Sequence, residues 1–227
     1  KAYAAGASPT AKINQATIVY NVPAPLTAAF SSRGPLAAGG GSRFIASGGE
    51  GHKLLAPYLG RPVVEWAIES AAAAGLDATY VVRGATDLPV PALAQEAVTF
   101  VRNDQWREGI ATSLRAGVDR ARRDGHAAVV VGLGDQPLVQ TEAWRRVARA
   151  ATSPLAVATY AGERGNPVRL SSMAWPLLPA TGDEGARLVM RRRPDLVVEV
   201  PCPGRAADID TVDDLATWTD PGGSPWS

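Results

Sequence analysis

The chain carries one cysteine, Cys202, in 227 residues. A single thiol closes no internal disulfide and builds no cysteine metal cluster, and such sparing use fits a reducing cytoplasm. No run of about 18 consecutive apolar residues occurs, so no transmembrane helix is expected. An excess of charge of one sign is also missing. Lys+Arg number 23 against 22 Asp+Glu, a net charge of +1, which provides no global field to gather nucleic acid or a membrane surface. The start at Lys1 lacks the charged-then-apolar pattern of a signal segment, and there is no internal repeat. What remains is ordinary globular material. An apolar fraction of 46% supplies a full core, and the length suits one α/β domain with or without an extension.

The most informative stretch is Leu36-Ala37-Ala38-Gly39-Gly40-Gly41-Ser42-Arg43, with Lys53 ten residues on. Three glycines let a backbone close round an anion with successive N–H groups pointing inward. Ser42 adds a hydroxyl, and Arg43 and Lys53 add positive charge. This is a loop for polyphosphate. Residues 1–34 read as an atypical N-terminal arm, 35–220 as the domain proper and 221–227 as a tail. Thr17–Val22 has the composition of one short strand. Pro35 cannot donate to a sheet ladder, so the first central strand is expected to be short or to start at Leu36. Ala29–Pro35 looks like a stretch of subtilisin-like proteases, but that family's nucleophile motif is absent, and a motif needs its context.

Downstream, helical and strand patterns alternate. Residues 61–74 have helical spacing with Gly75 as a stop, and 78–83 reads as a buried strand. A short helix near Pro91–Glu96 leads to a strand over 97–102. A helix of about 15 residues follows Gly109, its stripe Ile110, Leu114 and Val118 repeating every four. Thr112 and Ser113 stand near its start, where free N–H groups favour phosphate or carboxylate. Residues 127–133 form a strand without alternation, hence buried on both faces. It runs into Gly134-Asp135-Gln136-Pro137. Ligands of open α/β sheets sit at the carboxyl ends of strands, so Asp135 is expected beside the glycine loop. A helix over 141–151, a strand over 155–160 and an antiparallel partner over 165–170 come next. A short helix over 171–178, a helix opening at Thr181 and ending in Arg191–Arg193, and a strand over 196–200 complete the body. Asp208-Ile209-Asp210-Thr211 precedes a final helix, with Thr211 and Asp214 spaced as a capping box. The alternation argues for a parallel sheet with crossover helices.

Five motifs then stand in order: the glycine loop with its following Lys-Leu-Leu, Asn-x-x-Trp-x-x-Gly-x-x-x-Ser-Leu at 103–114, Gly-Asp-Gln-Pro at 134–137, Gly-Asp-Glu-Gly-Ala-Arg at 182–187 and Asp-Ile-Asp-Thr at 208–211. Together they resemble the MobA-like NTP transferase family, and most of all its molybdenum cofactor cytidylyltransferases, over residues 36–218.

The resemblance implies a Rossmann-like, three-layer α/β/α nucleotidyltransferase (GT-A-like) fold with a mostly parallel sheet. It implies a Mg²⁺-dependent cytoplasmic enzyme that moves a cytidylyl group from CTP to the terminal phosphate of molybdopterin. Other acceptors (a guanylyl, sugar-phosphate or phospholactate reaction) and a catalytically silent nucleotide-binding module are the alternatives. The family's pattern makes Leu36, Ala37, Ala38, Gly39, Gly40, Gly41, Ser42, Arg43, Lys53, Asn103 and Ser113 nucleotide contacts. Arg43, Lys53 and Asp135 become catalytic, and Asp135 and Asp210 metal ligands, with Asp208 a further carboxylate in reach. Asn166, where relatives often have His, is assigned to the acceptor. Asp183, Glu184 and Arg187 are either acceptor contacts or a helix start with an exposed salt bridge. Neither nucleic acid nor membrane is an expected partner; a molybdoenzyme or its chaperone is.

Overall fold

A computed structural model describes residues 15–20, 53–84, 98–210 and 214. The glycine loop, the expected helix at 91–96, the final helix beyond Thr211 and the 221–227 tail lie outside the described residues. Along the chain run β1 (Gln15–Tyr20), a 3-10 turn (Lys53–Leu55), β2 (Pro57–Tyr58), β3 (Arg61–Pro62), α1 (Val63–Ala72), β4 (Ala78–Arg83) and β5 (Val98–Arg102). Then follow α2 (Ile110–Arg123), β6 (Ala128–Leu133), α3 (Thr141–Arg149), β7 (Leu155–Tyr160), β8 (Glu163–Ser171), α4 (Ala186–Arg192) and β9 (Val197–Pro201).

The main sheet has the order β5-β4-β1-β6-β8-β7-β9. All neighbours are parallel except β8, which runs antiparallel to both β6 and β7. From β1 the chain proceeds to β4 on one side, while β6 lies on the other, so β1 and β6 form the switch point at which such sheets bind ligands. The central strand is therefore Gln15–Tyr20 and not a strand starting at Leu36. The expected arm thus contributes the middle of the sheet. The physical reason is legible afterwards: Ala16-Thr17-Ile18-Val19-Tyr20 is rich in β-branched and aromatic residues and free of proline. It can bond on both edges, as it does to β4 and β6, whereas Pro35 could not.

Helices cover both faces. Leu114 and Val118 of α2 and Val189 and Met190 of α4 pack with Tyr80, Val129, Val131, Val157 and Leu170 on one side. Ala67 and Ala71 of α1 and Trp144 and Val147 of α3 pack with Val130, Ala156 and Ala158 on the other. Consecutive valines of β6 thus serve opposite layers, and Val129, Val130 and Val131 are all buried, as the unbroken apolar run requires. Gly132 is small for a reason: a Cβ there would lie 2.4 Å from the Trp144 ring.

Two helices are shorter than the sequence suggests. Residues 171–178 yield only a 3-10 turn, Trp175–Leu177, and α4 opens at Ala186 rather than Thr181. Gly182 at φ +94° and Gly185 at φ +49° themselves take left-handed φ values that a helix cannot use. Among the described residues no helix is long and apolar enough to cross a membrane.

Candidate active site

The site is built at the carboxyl end of β6, where Asp135 follows the strand. The N–H of Ile209 donates to the Asp135 carbonyl at 2.9 Å. That bond brings Gly134–Pro137 and Asp208–Asp210, distant in sequence, side by side. Ile209 itself is buried with Tyr58, Val63 and Leu138, which anchors the second segment between its two aspartates. Asp135 is half-buried, Asp208 half-buried and Asp210 exposed. The Asp210 N–H donates to the Asp214 carboxylate at 3.0 Å, so the acidic cap reaches Asp210, one residue ahead of the expected Thr211.

Beside this junction lies a cavity of about 530 Å³. Gln136, Asn166 and Asp208 form one side of it, and Asp183, Glu184 and Arg187 another. Its volume falls within the range of small-molecule sites. The expected acceptor residues Asn166, Asp183, Glu184 and Arg187 thus line one cavity, with the last three on one wall.

Along the Asp183–Arg187 wall the exposed salt bridge, one of the two readings of this segment, is made to Arg191. Glu184 takes both terminal nitrogens of Arg191, at 2.6 and 2.7 Å, and this fork holds its carboxyl below the usual carboxylate range. Only the backbone links Arg187 to Glu184, through its N–H at 2.9 Å. The guanidinium of Arg187 is exposed at the cavity. Of the arginine triplet, Arg191 is paired with Glu184 and Arg193 with Asp195.

Asn103 and Ser113 occupy a separate position. Asn103 ends β5, is 5% exposed, and donates from its amide to Thr112 Oγ1 and Ser113 Oγ, both at 2.9 Å. Its Oδ1 accepts from the Gln105 N–H at 3.0 Å. These residues pin the β5 end to the first turn of α2, and neither lines the cavity. The same turn is locked to the acceptor wall: Gly182 N–H donates to Glu108 O at 2.8 Å and Ala111 N–H to Gly182 O at 2.9 Å. Gly109, at φ +105°, lets the two backbones meet, since a Cβ there would stand 2.5 Å from the Gly182 carbonyl. The glycines of the 103–114 and 182–187 motifs are therefore two halves of one junction. Trp106 packs its side chain on Gly84.

Leu36 to Arg43 lie outside the described residues, and of Lys53 the structure describes the backbone alone, at the start of the 3-10 turn. Sequence reasoning missed Gln136, Arg164, Met190 and Arg191 as lining residues. Gln136 was within a quoted motif; the others carry no local signal.

A family model for the MobA-like NTP transferase domain matches residues 36–197. The chain belongs to the MobA-like NTP transferase family. A nicotine blue oxidoreductase from Paenarthrobacter nicotinovorans is 33% identical over 193 residues, covering 79% of this chain and 92% of that protein. The MobA-like domain also shares its fold with solved structures. Rv0371c from Mycobacterium tuberculosis H37Rv superposes with a TM-score of 0.64 at 24% identity, over 90% of this chain and 97% of that one. Rv0371c is also known as a manganese complex, with a TM-score of 0.62 at 22% identity, covering 90% and 96%. A nucleotidyl transferase from Methanothermobacter thermautotroptrophicus gives 0.62 at 24% identity, over 90% and 95%. The three-layer nucleotidyltransferase fold of the MobA-like domain is thus established, and the family match carries the nucleotidyltransferase class, with a nucleoside triphosphate as the family's substrate.

Proposed function

We propose that this MobA-like enzyme transfers a cytidylyl group from CTP to the terminal phosphate of a molybdopterin-type acceptor, releasing pyrophosphate. The observation that carries the reading is the bond from Ile209 N–H to the Asp135 carbonyl. It draws two aspartate-bearing segments to the end of the central strands, beside a cavity sized for a second substrate.

The donor chemistry fits Mg²⁺. Asp135 and Asp210 offer hard carboxylate oxygens, and Mg²⁺ keeps several waters, so two protein ligands suffice. Asp208 is the less available of the three, because one of its oxygens accepts from Gln136 at 2.6 Å. When bound, the ion would neutralise charge on the α- and β-phosphates.

The chain's own work is positioning. The acceptor phosphate is already an anion and needs no base. One of its oxygens forms a bond to the α-phosphorus of CTP as the α–β bridging bond breaks, and pyrophosphate departs. The loop Leu36–Ser42 would hold base and triphosphate, Arg43 and Lys53 would neutralise the leaving group, and Arg187 would face the acceptor's phosphate.

The test is a thermal-shift panel of CTP, GTP, ATP and UTP, with and without Mg²⁺, paired with pyrophosphate release. A ligand at a hundredfold excess over its dissociation constant adds about 2.7 kcal/mol to stability. CTP with Mg²⁺ is expected to give the largest shift, and equal shifts from all four nucleotides would defeat the cytidylyl assignment. The 33% identical nicotine blue oxidoreductase supports a second reading, in which this chain is an oxidoreductase. Reduction of nicotine blue by a reduced nicotinamide nucleotide, with no pyrophosphate release from any triphosphate, would favour it.

A further inference from the structure

The cavity has an apolar floor and one polar edge whose donor and acceptor pattern is dictated from behind. Val131, Val168 and Val157 stand opposite one another on β6, β8 and β7. Three adjacent strands at about 4.8 Å spacing give a flat shelf about 10 Å wide. Leu114 and Met190 close it from α2 and α4.

At the end of the shelf the β7–β8 register shifts. Val157 pairs with Val168 and Ala158 with Gly165, which leaves Asn166 and Pro167 outside the ladder. Proline has no N–H to offer a ladder, so a bulge is its natural place. The bulge is held firmly. Tyr160 donates its hydroxyl to the Asn166 carbonyl at 2.6 Å, and Gly165 sits so close to Tyr160 and Ala206 that a Cβ would meet Ala206 at 2.9 Å.

From this bulge Asn166 begins a chain of two amides. Asn166 Nδ2 donates to Gln136 Oε1 at 3.0 Å, and Gln136 Nε2 donates to Asp208 Oδ1 at 2.6 Å. A carboxylate only accepts, so Gln136 must present its NH₂ to Asp208 and its carbonyl to Asn166. Asn166 must then answer with its own NH₂. Neither amide can flip without setting two acceptors face to face. Asn166 Oδ1 and its second amide hydrogen are left for the cavity, and no other group among the described residues engages them.

We propose that the Asp208–Gln136–Asn166 relay selects the acceptor by its ring: a flat heteroaromatic system on the valine shelf, with an N–H or amino donor beside a ring acceptor along the edge that meets Asn166. Asn166 touches the ligand; Gln136 and Asp208 are positioning residues. The proposal rests on reading this cavity as the acceptor site, and not on which nucleotide is transferred.

The experiment uses the full chain without nucleotide. It titrates 6-hydroxymethylpterin, which has the donor–acceptor edge, against 2-hydroxymethylnaphthalene, which has the shape alone. The wild type is expected to prefer the pterin by tenfold or more. Gln136→Met, which keeps the volume and removes the amide that orients Asn166, should cost about tenfold in pterin affinity and leave the naphthalene within about twofold. Asn166→Ser, on the accessible bulge, should do the same and covers the case in which the buried Gln136 variant fails to fold. Parallel loss of both ligands in these variants, no change with Gln136→Met, or a wild type that binds neither probe or both equally would overturn the proposal. If pterin selectivity holds while pyrophosphate release fails, the reaction assigned above falls and the relay stands; the opposite result removes the relay alone.

Discussion

Two aspartates stand at opposite ends of the same sheet and are treated in opposite ways. Asp124 lies after α2, ahead of the amino end of β6. Its Oδ2 accepts from the Tyr80 hydroxyl at 2.6 Å and from Arg120 Nε at 2.7 Å, and His126 Nε2 reaches the same hydroxyl at 3.0 Å. Asp208 lies past the carboxyl end of β6, and its Gln136 partner leads through a second amide to the cavity. The first cluster uses charge and hydroxyl to tie a helix end to a strand. The second holds a polar group ready for something that is not protein. A cluster whose groups pair with one another contributes to stability, and one directed at a ligand costs stability to be useful, so variants at the two ends should separate the two properties.

The largest separation is expected at Asp135. Asp135→Ala should lower turnover by about 10²–10³-fold, the usual cost of removing one preorganised electrostatic contact, with a much smaller change in melting temperature. Steady-state pyrophosphate release and a thermal melt of the same preparation check it. A variant that stays active would detach the strand end from the chemistry and leave both aspartate clusters structural.

Gly109→Ala comes next, because it attacks the junction that lies between the two ends. A side chain at φ +105° and ψ 171° enters a region used almost only by glycine, at a cost of about 1–3 kcal/mol. The backbone overlap with Gly182 places the variant at the upper end of that range. For a chain of this size that amounts to about 6–12 °C in melting temperature. Acceptor affinity should fall with it, since Gly182 carries the Asp183–Arg187 wall.

How far the sequence reveals these features follows from their locality. The strands and helices from β4 to β9 were legible because each carries its own period and its own stops. The motif order was enough to set Asp135 and the 208–210 segment at one strand end. The identity of the central strand was not legible, since the choice between Gln15–Tyr20 and a segment at Leu36 depends on which can bond along both edges. Asn103 and Ser113 illustrate the same limit. Their motif suggested nucleotide contacts, and the fold adds what the motif did not show, that they are each other's partners. Glu184 pairs with Arg191, seven residues on, because two glycines delay the helix and turn Arg187 away. The relay from Asp208 to Asn166 depends on a bulge that only the β7–β8 pairing creates.

A smaller effect tests the Asp124 end. Tyr80→Phe removes the hydroxyl that contributes most to holding the Asp124 carboxyl below its ordinary value, with Arg120 second. A carboxylate with a depressed folded-state pKa adds stability above its unfolded value, roughly 3.9, and that stability is lost as pH falls through the lower folded value. The wild type should therefore lose stability on acidification below about pH 4 more steeply than Tyr80→Phe. At neutral pH the variant should be the less stable of the two, since one hydrogen bond is lost. Denaturant melts at pH 7 and pH 3 check both statements, and turnover should not change.

The smallest effect belongs to the Glu184–Arg191 fork. Its side chains are 49% and 62% exposed, and exposed ion pairs contribute little even when their geometry is good. Glu184→Gln should accordingly leave the melting temperature within about 2 °C. It also frees Arg191, which already lines the cavity, and adds a positive charge beside Arg187. An anionic acceptor should then bind at least as well as before, whereas a neutral one should not respond. A rise in KM for a phosphorylated acceptor would mean that the Glu184 carboxylate holds the acceptor itself, and the wall would have to be assigned to that contact rather than to the arginines.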